Sequence, residues 1–152
     1  MENSTSPQTE QLTYLLVQRV ENNRADLVSR YHIVLRESLF SNRAELRPAI
    51  LKQIAADEAE AILHFLRKSG FSSTERGEQL HITGFNAGAI LKLSQVTRMF
   101  FLNHLENHQI APMLDIVHDY QEAVIQGFVK SLEKDLRMEI ERTRRAVRQS
   151  DN

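Results

Sequence analysis

Histidines are the side chains whose spacing most suggests chemistry in this chain, and the first candidate group surrounds one predicted turn. His104 and His108 are four residues apart, and Asp115 and His118 follow beyond the turn. Imidazoles at that spacing share one helix face and can bind one metal ion. A histidine near the C-terminal end of a helix is also stabilised by the helix dipole without any metal. Because no H-E-x-x-H pattern accompanies the pair, we predict no metal site.

Other reaction classes find no support in the sequence. The chain contains no cysteine, which excludes disulfides, thiolate catalysis and cysteine-based zinc or iron–sulfur sites. It has neither a glycine-rich phosphate loop nor a G-x-S-x-G element. The acids Asp57, Glu58 and Glu60 are expected to lie on one solvated helix face. The arginines at 142–148 are interspersed with acids, which favours a solvated face there too. We therefore predict a protein that is not an enzyme.

Charge and hydropathy limit the partners. The formal net charge is −1 at pH 7, so the overall charge gives no reason to predict nucleic-acid binding. The sequence has no apolar run of about eighteen residues, as a membrane-spanning helix requires. Its first residues lack the basic and apolar regions of a signal peptide. We expect a cytoplasmic protein that does not insert into a membrane.

Apolar residues recur at steps of three and four through most of the chain, which predicts an all-α fold. A chain of 152 residues is expected to form one domain with a buried core. Helix starts are indicated by N-capping and proline signals at Ser6-Pro7, Pro48, Ser72-x-x-Glu75 and Asn86. The helix predicted from about 87 to 106 is apolar nearly all round, so we expect it to be covered on most sides.

The longest predicted helix runs from Pro112, placed in its first turn, to about Arg148. A helix of that span is about 55 Å long, whereas the preceding residues form a globule only about 30–35 Å across. The last turns therefore cannot be covered by their own domain. We predict a helical domain at residues 1–130 and a protruding helix, continuous with its last helix, at residues 131–152.

The protruding helix carries a thin apolar line on an otherwise charged rod, which is typical of a two-helix seam. Steps of four outnumber steps of three, which favours a straight or slightly right-handed pair over a strict heptad coiled coil. A solvated, partly frayed helix is the alternative that this composition leaves open. We predict a homodimer whose interface contains Phe128, Leu132, Leu136, Ile140 and Val147.

Two segments of the sequence carry a recognisable pattern: residues 80–85 read Leu-His-Ile-Thr-Gly-Phe, and residues 89–101 read Ala-Ile-Leu-Lys-Leu-Ser-Gln-Val-Thr-Arg-Met-Phe-Phe. Together with the long helix that follows, they resemble the N-terminal domains of RsbR-type stressosome proteins and related sensor kinases. The resemblance implies a globin-like domain, usually without haem, that dimerises and passes a signal along its emerging helix. We therefore expect a sensory domain of a bacterial signalling protein, acting on a STAS or kinase-type output domain or a separate partner protein.

Two alternative functions remain open. A globin-type haem requires a neutral imidazole presented from a helix into an apolar pocket. His81, followed by Gly84 and the Gly88-Ala89 pair, resembles the proximal segment of globin-coupled oxygen sensors, and Tyr31 is the candidate distal residue. That reading gives a haem-binding gas sensor, whereas our first prediction has no cofactor. The other alternative is an oligomerisation scaffold that binds no ligand.

Overall fold

The chain is all-α in a computed structural model that describes residues 6–41, 47–69 and 72–151. No strand occurs among these residues. The helices described are α1 (Pro7–Asn22), α2 (Arg24–Ser41), α3 (Pro48–Arg67), α4 (Ser73–Thr83), α5 (Ala87–Leu102) and α6 (Asn107–Ser150). The predicted fold class and the long C-terminal helix are thus confirmed.

Local capping explains where the middle helices begin and end. The Ser72 hydroxyl accepts a hydrogen bond from the Glu75 backbone N–H at 3.4 Å, which caps α4. The Asn86 side chain accepts one from the Ala89 N–H at 3.0 Å, which caps α5. Between them, Gly84 ends α4 with φ 103°, a left-handed conformation that glycine adopts without strain. The predicted starts of both helices are confirmed.

The start of α6 differs from the prediction, because the helix begins at Asn107 and contains Pro112. The backbone N–H of Glu106 donates to the Gln109 side chain at 3.0 Å, and the Glu106 side chain accepts from the Gln109 backbone. This reciprocal capping box satisfies two N–H groups at the helix start. Pro112 consequently sits in the second turn, where it removes one backbone hydrogen bond without ending the helix.

The helix α5 packs on α2 and α6 and buries both Phe100 and Phe101. Adjacent residues on a helix point about 100° apart, so two sides of α5 are covered. Leu91 and Met99, however, are half exposed on a remaining side. The helix α5 is thus covered on two sides and exposed on the side of Leu91 and Met99, and it ends at Leu102, earlier than the expected end near residue 106.

The most extensive helix contact joins α4 to α6. The buried residues of α6 all lie in its first part, at Met113, Val117, Tyr120, Val124, Gly127 and Phe128. From Leu132 to Ser150 every residue is exposed. The 44-residue helix is about 66 Å long, and none of its residues after Ser131 is buried against another described helix. No described helix combines the length and the apolar content needed to cross a bilayer.

Candidate functional site

A buried ion pair lies where α3, α4 and α6 meet. Glu58 on α3 and Arg76 on α4 are only 3% and 4% exposed. The Arg76 Nε donates to Glu58 Oε2 at 2.8 Å, and another guanidinium nitrogen donates to the Ile54 carbonyl at 3.1 Å. Both charges therefore have hydrogen-bonding partners, which a charge removed from water requires. We call Glu58 and Arg76 the buried pair.

The helix α6 is joined to the buried pair through Tyr120. The Tyr120 hydroxyl donates to Glu58 Oε1 at 2.9 Å, so each carboxylate oxygen of Glu58 accepts a bond from a different helix. The Tyr120 ring also packs against the ring of Phe65 on α3, with centroids 5.4 Å apart. The first half of α6 is thus fixed to α3 and α4 by one polar contact and one aromatic contact.

The sequence prediction for Glu58 was wrong, because this side chain is buried and does not lie on a solvated face. Its position contains a signal that could have revealed this. Glu58 stands four residues after Ile54 and four before Ile62, in the apolar row of α3. An acid in such a row requires a buried cation or a hydrogen-bond donor. The sequence does not show which arginine supplies it.

The electrostatics around the buried pair fix the protonation states of Arg76 and Tyr120 near neutral pH. Burial on its own would lower the pKa of Arg76, but the facing Glu58 carboxylate outweighs it and the pKa is raised. The pKa of Tyr120 is raised well above its usual value, first by burial and then by the Glu58 charge. Arg76 therefore stays cationic, and the Tyr120 hydroxyl stays protonated and able to donate.

A second buried polar contact joins α2 to α5. The Tyr31 hydroxyl lies 2.6 Å from the Thr97 hydroxyl, which in turn donates to the Leu93 carbonyl at 3.1 Å. Tyr31 is fully buried, and burial followed by the Glu58 charge raises its pKa. The core thus contains two tyrosine hydroxyls that resist ionisation, and the charge of the same Glu58 carboxylate raises the pKa of both.

These raised pKa values predict a loss of stability in alkali. Unfolded tyrosine ionises near pH 10, so the stabilisation is complete below about pH 10 and falls as the pH rises above it. Of the three tyrosines, Tyr14 is 67% exposed. We expect the two buried tyrosines, Tyr31 and Tyr120, to ionise only as the protein unfolds. Tyrosinate absorbance and circular dichroism, followed together against pH, measure both events.

The Tyr31→Phe variant gives the controlled form of this test. It should lose about 1 kcal/mol near neutral pH, because the bond to Thr97 is gone. Its stability should nevertheless fall less steeply than that of the parent protein above about pH 10, since one fewer proton is released on unfolding. The matched variant Tyr14→Phe should keep the parent slope. Equal slopes for all three proteins would contradict the burial of Tyr31.

The helices α4 and α6 cross at two glycines with their backbones in contact. A Cβ atom added at Gly127 would lie 1.8 Å from the Thr74 carbonyl oxygen, and one added at Gly77 would lie 1.8 Å from the Val124 carbonyl oxygen. Real Cβ atoms do not approach backbone this closely, so each position requires glycine. Neither glycine was recognised from the sequence as a packing residue.

His81 marks the end of the contact between α4 and α6. Its Nδ1 is 2.8 Å from the Ser131 hydroxyl and 3.8 Å from the Asp135 carboxylate. Its ring meets the ring of Phe128 edge-on, with centroids 5.1 Å apart. His81 therefore packs against α6 at the point where that helix leaves its neighbours.

The two residues considered for haem are not brought together. Tyr31 is bonded to Thr97 in the core, whereas His81 faces α6 at the edge of the helix assembly. Neither side chain lines any of the four cavities described in this structure. A haem that lies between a proximal and a distal residue needs both side chains to face the same apolar pocket. The pair as placed does not fit a haem.

The residues that were considered for a metal site do not form one in this structure. His104, His108 and His118 are exposed, and His108 lies 3.4 Å from Glu106. Within the described ranges, no three histidine, aspartate or glutamate side chains come together to hold a metal ion. The arginines at 142–148 are exposed, and Arg145 pairs with Glu141 at 3.2 Å.

Four of the five residues predicted for the dimer interface lie in the exposed part of α6, residues 132–150, which we call its bare half. Their exposed fractions are 38% for Leu132, 51% for Leu136, 52% for Ile140 and 56% for Val147. Phe128 differs from them, because it is 6% exposed and packs on His81 within its own chain. Phe128 is therefore a core residue, and this part of the predicted interface is corrected.

These four exposed residues belong to one continuous row along α6, which we call the apolar stripe. With Val129, which is 42% exposed and was not predicted, its members are Val129, Leu132, Leu136, Ile140, Thr143 and Val147. Val129 and Ile140 are eleven residues apart, as are Leu132 and Thr143, and Leu136 and Val147. At about 100° per residue the stripe covers an arc of about 80° and runs almost straight along the helix.

The comparisons with known proteins add no family. No protein-family model, no curated protein and no solved structure matches this chain. The resemblance drawn from residues 80–85 and 89–101 accordingly stays a hypothesis.

Proposed function

We propose that this protein is a non-enzymatic signal-transmitting domain of a bacterial signalling protein, of the stressosome or sensor-kinase type. In this proposal a globin-like helical domain pairs with a second copy through α6 and relays a signal to a STAS or kinase-type partner. One observation supports it above the others. The same uninterrupted helix is fixed by Tyr120 to the buried pair and then carries an exposed apolar stripe beyond its neighbours.

The charges beside the stripe favour a second copy lying parallel to the first. Helical geometry places Lys130, Glu133, Arg137, Arg144 and Arg148 within about 120° of the stripe's centre on one flank. It places Asp135, Glu139 and Arg142 on the other flank. In a parallel two-fold pair each flank meets the opposite flank of the partner, so a mainly basic edge meets a mainly acidic one. An antiparallel pair would place each flank against itself.

Cysteine scanning tests the pairing directly, because the chain has no cysteine of its own. We expect single variants Leu132→Cys, Leu136→Cys, Ile140→Cys and Val147→Cys to form disulfide-linked dimers under mild oxidation. Identical positions meet along the whole seam only when the helices are parallel and in register. Non-reducing electrophoresis of the four proteins at matched concentration gives the yields.

Met138→Cys is the matched control, since Met138 is 48% exposed but lies on the opposite side of α6. Its cross-linking should be severalfold slower than that of Leu136→Cys. Cross-linking at one stripe position alone would indicate an antiparallel crossing and remove the parallel arrangement. Four stripe variants no faster than Met138→Cys would exclude the pairing itself.

The relay is tested in the same proteins by disturbing the base of α6. Tyr120→Phe removes the hydroxyl that donates to Glu58. If α6 transmits, this change should alter the cross-linking rate of Val147→Cys, which lies about 40 Å further along the helix. Tyr14→Phe should not alter it. An unchanged rate in a folded Tyr120→Phe protein, with the dimer intact, would favour the scaffold that only oligomerises.

A further inference from the structure

The largest cavity described is a groove between α1, the end of α3 and the first half of α6. Its volume is about 730 Å³. Val17, Phe65 and Ile116 line it and are partly buried against the core, so they form an apolar base. Tyr14 also lines it and is largely exposed. We call this cavity the groove.

The size and lining of the groove suit a small organic ligand. Sites for such ligands have volumes of about 300–1,000 Å³ and are mostly apolar with a few polar groups. Phe65 and Tyr14 offer two aromatic rings to a flat apolar body. The side chains of Thr9, Thr13 and Gln18 supply the neutral polar part of the lining.

The charged side chains that line the groove favour a positively charged ligand. Three acids and two bases line it, namely Glu10, Glu21, Asp119, Arg67 and Lys68, and their formal sum is −1. Arg67 forms an ion pair with Glu21. Among the described residues neither Glu10 nor Asp119 forms an ion pair. A positive group would therefore gain attraction from two carboxylates and from the faces of the aromatic rings.

We propose that the groove is a binding site for a small organic cation with a flat, apolar body. Its position gives binding a consequence. Phe65 in the groove packs on Tyr120, whose hydroxyl bonds to Glu58 of the buried pair. A ligand on Phe65 thus lies two contacts from the base of α6. The role of the groove as a signal input rests on the proposed function, whereas the binding itself does not.

Three naphthalene probes of similar shape and different charge test the site. These are 2-(1-naphthyl)ethylamine, which is cationic at neutral pH, the neutral 1-naphthaleneethanol, and the anionic 1-naphthaleneacetate. Each is titrated into the isotope-labelled 152-residue chain and followed by amide chemical shifts. We expect the cation to perturb amides of α1, of the end of α3 and of residues near Ile116. We expect it to bind about three- to tenfold more tightly than the anion.

Paired variants connect that preference to the groove. The double variant Glu10→Gln with Asp119→Asn should bring the affinities for cation and anion to within about twofold of each other. The matched control Asp115→Asn, one turn earlier on α6 and outside the groove, should keep the preference. Equal affinities in the parent protein, perturbations mapping elsewhere, or no binding of any probe would overturn the proposal. Cross-linking along α6 is measured separately, so either proposal can fail while the other stands.

Discussion

The Arg76→Met variant is expected to lose about 3–5 kcal/mol of its free energy of unfolding, because it leaves the Glu58 carboxylate buried without its cation. It also removes the bond to the Ile54 carbonyl. Tyr120 would be the only remaining donor to Glu58 among the contacts described here. Urea denaturation followed by circular dichroism near neutral pH measures the loss.

A second substitution separates the buried charge from simple loss of packing. In the double variant Glu58→Gln with Arg76→Met, no charge remains in the core, and the introduced amide oxygen can still accept from Tyr120. We expect this protein to recover about 2 kcal/mol relative to Arg76→Met alone. If the double variant is less stable than the single one, the unpaired charge is not the cause of the loss.

Arg24→Met is the surface control for the same chemical change. Arg24 pairs with Glu60, and both side chains are roughly two-fifths exposed, at 44% and 40%. Exposed pairs of this kind contribute about 0–1 kcal/mol. Similar losses for Arg76→Met and Arg24→Met would contradict the burial of the pair.

The Gly127→Ala variant is expected to lose at least about 3 kcal/mol, the upper part of the range for an overpacked core. The added methyl group would meet the Thr74 carbonyl oxygen and neighbouring backbone atoms. Because both sides of the contact are helical backbone, no side-chain rotation can relieve it. The variant must shift α4 away from α6 or unfold, and thermal and urea denaturation distinguish it from the parent protein.

Gly88→Ala is the matched control, since it adds the same methyl group to a helix in a more open place. A Cβ at Gly88 would lie 3.2 Å from the Asn86 Oδ1 atom that caps α5, and it would meet no backbone of another helix. Alanine is the better helix former by about 1 kcal/mol, so the change should be small or stabilising. A loss below about 1 kcal/mol for Gly127→Ala would show that α4 and α6 are further apart than described here.

Helix ends could be predicted from the sequence where the capping residues lie next to them in the chain. Serine, asparagine and glycine at Ser72, Asn86 and Gly84 act on backbone groups within four residues, so capping rules placed these helix ends correctly. Pro112 misled the same reasoning, because a proline is tolerated in the second turn as well as the first. The Glu106–Gln109 capping box was the stronger signal for the start of α6.

The parts of the site that were missed depend on distant partners. Nothing near Glu58 in sequence reveals that Arg76 faces it, since the two lie on different helices, eighteen residues apart. Gly77 and Gly127 are poor helix formers in isolation, and only the crossing of α4 with α6 explains them. The apolar stripe was predictable for the opposite reason, because one exposed helix contains its whole pattern.

The division of α6 into a covered and a bare half has a consequence for how its end becomes ordered. An isolated helix must first pay for nucleation, and short ones are barely stable in water. The bare half avoids that step, because the covered half already supplies a formed helix from which it propagates. Its turns therefore melt one after another from the C-terminal end. Pairing along the stripe would suppress that melting. Because pairing increases with protein concentration, the number of ordered turns at the end of α6 should increase with concentration as well.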